Sequence, residues 1–162
     1  MSICEIAEDS WQAIYNVQAE AYPNDFLENI NVLKSKWKAS SKTCFVFKSN
    51  NNEILGYILA HPWGSHKPPQ LFEEMPEKST GDILYLHDLA VSRRARDMGV
   101  GNKLSQQIIK IGKSQGFKSI MLVAVQGAEN YWFKHGFVEI SNDFNSISYG
   151  KAPKLMILNL PS

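Results

Sequence analysis

Apolar residues change their spacing several times along the chain, and each change marks an element. Residues 2–6 suit a short edge strand. Over 11–21, Trp11, Ile14, Tyr15 and Ala19 return at helical intervals, behind the helix-start residues Glu8, Asp9 and Ser10. Tyr22-Pro23-Asn24-Asp25 interrupts that helix, and a second is predicted with Phe26, Ile30, Leu33 and Trp37 on one face. The β-branched and aromatic run 43–48, the turn Asn50-Asn51-Asn52 and the apolar run 53–61 predict an antiparallel hairpin. Pro62, Pro68, Pro69 and Pro76 then make 62–81 an irregular loop. Loops of that length usually carry function.

The second half follows the same logic. Residues 83–91 read as a strand and 100–115 as a helix with Leu104, Ile108 and Ile111 on one face, closed by Gly116. Residues 118–125 are almost wholly apolar, as a strand covered on both faces and parallel to a neighbour would be. A short helix at 128–135, ended by Gly136, precedes two final strands at 137–141 and 155–160, joined across a polar turn with Asn142, Asn145 and Gly150. The fold class is thus α/β of the α+β type, with one domain over residues 1–162 and no internal repeat.

Composition narrows the picture. With 44% hydrophobic and 20% charged residues, the chain has the make-up of a globular protein. No apolar run nears the roughly 18 to 20 residues of a membrane span, and the opening residues lack a secretory leader's basic start and apolar block. The cytoplasm is the expected location, with no membrane partner. Cys4 and Cys44 stand in strand-like contexts without metal or redox spacing, and His61 and His66 are too sparse for a metal site. No metal is expected. A net charge of +1 offers nucleic acid no global attraction, which leaves Arg93, Arg94 and Arg96 as a local basic cluster.

That cluster adjoins the most informative turn. Arg96-Asp97-Met98-Gly99-Val100-Gly101 places free amides, an arginine and two glycines where a helix begins, a combination suited to phosphate. Neither dinucleotide nor mononucleotide fingerprints are present.

Here the chain resembles the GNAT superfamily of N-acetyltransferases, whose acyl-CoA turn [Q/R]-x-x-G-x-[G/A] follows a strand ending in an LAV-like triplet. The matching residues are Arg96, Gly99 and Gly101 after Leu89-Ala90-Val91. QGAENYWFKHGF, residues 126–137, looks like the family's later motif, and the order of elements also agrees. Asp97 departs from the glycine common at its position. The resemblance implies a mixed, mostly antiparallel central sheet, flanked by about four helices, with a splayed parallel strand pair that admits the pantetheine arm of acetyl-CoA. It implies pantetheine contacts at Leu89, Ala90 and Val91 and pyrophosphate contacts from Arg96, Asp97, Met98, Gly99, Val100, Gly101 and Asn102. Asn130, Tyr131 and Lys134 would lie along the cofactor's other side.

An amine must lose a proton before attacking a thioester. His87 and Asp88 are the candidate bases, and regular alternation would turn only one into the cleft, with His87 sharing the parity of Leu89 and Val91. His87 also resembles a histidine used by the arylalkylamine acetyltransferases. The family's thiolate-protonating tyrosine position holds Trp132, leaving the acid role to Tyr131 or water. Direct attack in a ternary complex is preferred to an acyl-cysteine. The implied acceptor is a primary amine of a small molecule, met by Tyr22, Phe26, Glu28 and Trp63 through aromatic and ion-pair contacts. A peptide or protein amine, or a non-catalytic acyl-CoA-binding regulatory domain, are the alternatives, and a homodimer is compatible with the sequence.

Overall fold

A computed structural model describes residues 1–76, 78–125, 127–140 and 153–161. Seven strands form one sheet: β1 (Ser2–Glu5), β2 (Cys44–Lys48), β3 (Ile54–Trp63), β4 (Ile83–Val91), β5 (Ser119–Ala124), β6 (Val138–Glu139) and β7 (Lys154–Asn159). Their spatial order is β1-β2-β3-β4-β5-β7-β6, and among the described residues only β4 and β5 run parallel. Among the described residues four α-helices flank them: α1 (Trp11–Ala21), α2 (Ile30–Ala39), α3 (Val100–Ser114) and α4 (Glu129–Lys134). Ser141 and the turn expected at Asn142, Asn145 and Gly150 lie outside the described residues, as does Gln126.

The period-2 pattern sorts side chains onto two faces. Cys44, Val46, Tyr57 and Leu59 pack under α1 and α2 with Trp11, Ile14, Val17 and Leu33. Phe45, Phe47, Ile58, Leu84 and Leu86 pack on the other face against Val100, Leu104 and Ile108 of α3 and Trp132 of α4. No helix among the described residues is long and apolar enough to cross a membrane.

Two expectations are corrected. The second helix begins at Ile30, because Asn29 caps it by accepting from the Val32 amide at 2.9 Å. Phe26 therefore leaves the predicted helix face for a 3-10 turn, Asn24–Phe26. Strand β3 also continues past residue 61, with Pro62 opposite Leu84 and Trp63 opposite Ile83. Its pairing with β2 ends at Leu59, so Pro62 sits where one side of the strand has no strand neighbour and a missing N–H costs little.

Two features position a site. The parallel pairing of β4 and β5 stops at Tyr85 and Met121, so Leu86 to Val91 and Leu122 to Ala124 diverge. The long connection after β3 is strapped to α2 by Lys36 Nζ donating to the Glu73 carbonyl and the Met75 amide donating to Ser35 Oγ, both at 2.8 Å.

Candidate active site

The diverging strands leave a cavity of about 370 Å³ that passes through the sheet. One end is lined by Tyr22, Phe26, Glu28 and Leu71, the other by Gly101, Ala128, Tyr131 and Trp132. Between them lie His87, Asp88, Leu89 and Val91 of β4 and Leu122 to Val125 of the β5 segment.

Strand β4 is irregular where it matters. Leu59 pairs with Asp88 but Ala60 pairs with Leu86, so His87 is the extra residue of a β-bulge. The bulge resets the alternation. His87 stacks beside Tyr85 and His61, with ring centroids 6.1 and 6.3 Å away, while Asp88 accepts from the Tyr57 hydroxyl at 2.5 Å under α1 and α2. Leu89 lies on the opposite, α3 side. The predicted parity of His87 with Leu89 is thus overturned, and consecutive residues 87 and 88 share the α1–α2 face.

His87 is fixed by a carboxylate. Its Nε2 bonds Glu28 Oε1 at 2.8 Å, Glu28 Oε2 accepts from the Phe72 amide at 2.8 Å, and Gln18 clamps the Glu28 main chain with two 2.9 Å bonds. Burial alone would raise the pKa of Glu28, but the charge and hydrogen bond of His87, with Lys36 and the Phe72 amide, bring it down to about 2. Glu28 is therefore an anion, and Nε2 of His87 carries the proton. Nδ1 of His87 and Nε2 of His61 reach no protein partner among the described residues. The His87 and Glu28 side chains are 0% and 3% exposed, and Asp88 is buried beside them.

Around Asp88, burial raises the carboxyl's pKa; the Tyr57 hydrogen bond and the nearby His87 oppose that rise. Burial, then the charge of Asp88, drives the hydroxyls of Tyr57 and Tyr22 well above the ordinary tyrosine value, so both remain donors. Tyr22 donates to the Leu89 carbonyl at 2.8 Å, occupying one of the main-chain groups expected to meet a pantetheine. Lys36, fully buried, has its pKa lowered by burial and supported by Glu28 and Asp88.

The α3 end presents unpaired amides and an exposed arginine. The first α3 amide bond runs from Lys103 to the Gly99 carbonyl, which leaves the preceding helical amides at Val100, Gly101 and Asn102 without a helical acceptor. Asp97 and Gly99 both take left-handed backbone, at φ 65° and 74°, and Arg96 to Gly99 are exposed. Gly101 keeps this approach open, because a Cβ there would lie 3.3 Å from Tyr131 Oη. That hydroxyl bonds Ser105 Oγ at 2.9 Å, and burial raises its pKa.

The profile of the Acetyltransferase (GNAT) family matches residues 6–137. The chain belongs to that family. A search of curated protein sequences found no match. Among solved structures, the chain is similar in fold to a GNAT-like decarboxylase, GphF, in complex with isobutyryl-CoA, with TM-score 0.81 and 15% identity over 98% of this chain and 99% of that one. It is also similar to Ard1 from Thermoplasma volcanium, with TM-score 0.76 and 16% identity over 99% and 98% of the two chains. A third is the ribosomal-protein-S18-alanine N-acetyltransferase from Escherichia coli, with TM-score 0.72 and 15% identity over 98% and 92%.

Set on this GNAT frame, the expected residues divide. His87, Asp88, Leu89, Val91, Gly101, Tyr131, Tyr22, Phe26 and Glu28 meet in one cleft. Ala90 turns its side chain into the α1–α2 core, and Val100 is buried under α3, so each can offer only main chain. Asn130 and Lys134 are exposed on α4 and Met98 on the turn, none lining the cleft, and Asn102 is held by His135 Nε2 at 3.1 Å. Trp63 packs beside Ile83, Tyr85, Met121 and Leu155 instead, its indole donating to the Lys67 carbonyl at 2.9 Å. Glu28 lies beneath the cleft at 3% exposure, not at its mouth. Gln18, Lys36, Tyr57, Leu71 and Ser105 escaped sequence reasoning, because each acquires its role only from a partner distant in the chain. A buried tyrosine at the level of Asp88 needs the β3–β4 register to be seen.

Proposed function

We propose that this GNAT protein moves an acetyl group from acetyl-CoA to the primary amine of a small molecule within a ternary complex. The observation that carries the reading is the cleft through the splayed sheet, with Asp88 and the His87–Glu28 pair on its α1–α2 side and Tyr131 on its α3–α4 side. Acetyl-CoA fits: the free amides from Val100 to Asn102 and exposed Arg96 would hold its pyrophosphate, and the unpaired edges of β4 and β5 would take its pantetheine. Bound there, it supplies a thioester carbonyl open to an amine.

Asp88 is the group we assign to take the ammonium proton. It lines the cleft, burial moves its carboxyl toward the range useful to a general base, and the Tyr57 hydroxyl holds it in place. The His87 ring stands in the cleft wall, held by Glu28; the pair fixes the bulge that aims Asp88 and adds negative charge near an incoming ammonium. Tyr131 is assigned to protonate the departing thiolate, its hydroxyl reaching the cleft beside Gly101. Cys44 is buried with its thiol pushed up to about 12, which argues against an acyl-cysteine.

The test is thiol release from acetyl-CoA with polyamines, arylalkylamines, aminoglycosides, amino acids and peptides, beside calorimetric binding of CoA. Release with a small amine supports the proposal. Release with peptides alone transfers the activity to protein amines, and binding without release from any acceptor leaves a non-catalytic acyl-CoA-binding domain.

A further inference from the structure

The most strained bulky residue on the cleft side of the molecule is Phe72, whose φ of 68° lies in the left-handed region. That conformation is unusual for a large aromatic and persists only where the surroundings impose it. They do so here: the Phe72 amide donates to Glu28 Oε2, and the residues after it are tied to α2 through the Glu73 carbonyl and the Met75 amide. The backbone is fastened on both sides, yet the residue is 45% exposed. Backbone strain held in place by its surroundings gathers at ligand clamps, and here it presents a large, half-exposed ring. Its neighbour Leu71 lines the cleft, with Phe26 and Tyr22 at the same end and the carboxylates of Glu28 and Asp88 deeper.

We propose that Phe72 is a specificity-determining residue of the acceptor site, its ring covering the apolar tail of a primary amine whose ammonium is drawn toward Asp88 and Glu28. This rests on the proposed acceptor end of the cleft and narrows its substrate to amines carrying an aromatic or alkyl group. An apolar tail meets Phe26, Leu71 and Phe72, while a short polar amine leaves them wet. The ring, not the loop backbone, does the selecting.

Substitution Phe72→Gly separates the two, since glycine accepts the left-handed conformation and keeps the amide bond to Glu28. Calorimetry in the presence of CoA would compare benzylamine with methylamine. Wild type is expected to bind benzylamine more tightly, by about tenfold, with Phe72→Gly removing most of that preference while affinity for CoA and melting temperature hold or rise. Phe72→Leu should keep part of it. An equal preference in Phe72→Gly, or none in wild type, overturns the proposal. Because the readout is binding, a wild-type preference that Phe72→Gly loses, without thiol release, would sink acetyl transfer and leave the assignment of Phe72 standing.

Discussion

Asp97 shows how much one residue can say. At φ 65° it occupies a position where glycine is unstrained, and its carboxylate stands in a turn otherwise suited to phosphate. Asp97→Gly should stabilise the fold by about 1 kcal/mol, and Asp97→Asn, which tolerates the same backbone, should tighten CoA binding without that gain. Calorimetry and melting curves on both variants separate charge from strain. Asp88→Asn should lower kcat by about 10²-fold or more with little change in the KM for acetyl-CoA; an unchanged kcat would remove Asp88 from the chemistry. For Glu28→Gln, loss of the anion beside His87 should cost about 1 to 3 kcal/mol in chemical denaturation.

The backbone of the α3 turn was legible beforehand, because free amides at a helix start depend on local conformation and Gly99 and Gly101 announce it. Glu28 was not. Its identity as the partner of His87 depends on a segment 59 positions away in sequence, and nothing near Glu28 hints at it.

Among elements, the bulge in β4 is decisive. A regular strand would turn His87 and Asp88 to opposite faces; the extra residue at 87 puts both beneath α1 and α2. Hydrophobic alternation cannot expose this, because a one-residue slip in a strand buried on both faces leaves an equally apolar pattern. Gly56 reveals a second constraint between elements. A Cβ there would lie 2.9 Å from Val100 Cγ1 and 3.1 Å from the Ala90 carbonyl, so β3 and the start of α3 touch through that glycine. Gly56→Ala should destabilise the protein by about 1 to 3 kcal/mol and, by displacing the first turn of α3, weaken CoA binding. Loss of stability with undiminished CoA affinity would show that the turn does not depend on this contact.

The whole molecule carries buried ionisable groups whose costs appear as pH dependence. Burial holds His61 at about 3 against its ordinary 6.5, and Glu28 stands at about 2 against 4.5. Both folded values are depressed, so the stability tied to His61 is complete above about 6.5 and that tied to Glu28 above about 4.5. Each is lost as pH falls toward the folded value. Asp88, with a raised value, acts in the opposite sense, its share being lost as pH rises. Between pH 4.5 and 6.5, His61→Gln should therefore reduce the slope of unfolding free energy against pH by up to ~1.4 kcal/mol per unit. Urea titrations of both proteins across that window check it, and identical slopes would contradict a neutral buried His61.

The sequence by itself determined the elements, the sheet's parallel pair, the amide-rich turn and the family, because those rest on local periodicity and on backbone chemistry at glycines. It also named Asp88, His87 and Tyr131 as residues worth watching. Only the tertiary structure decided which face each took and that Glu28 belongs to His87. Those outcomes come from strand register, a bulge and a long loop's tethers, and each is set by contacts between segments far apart in the chain.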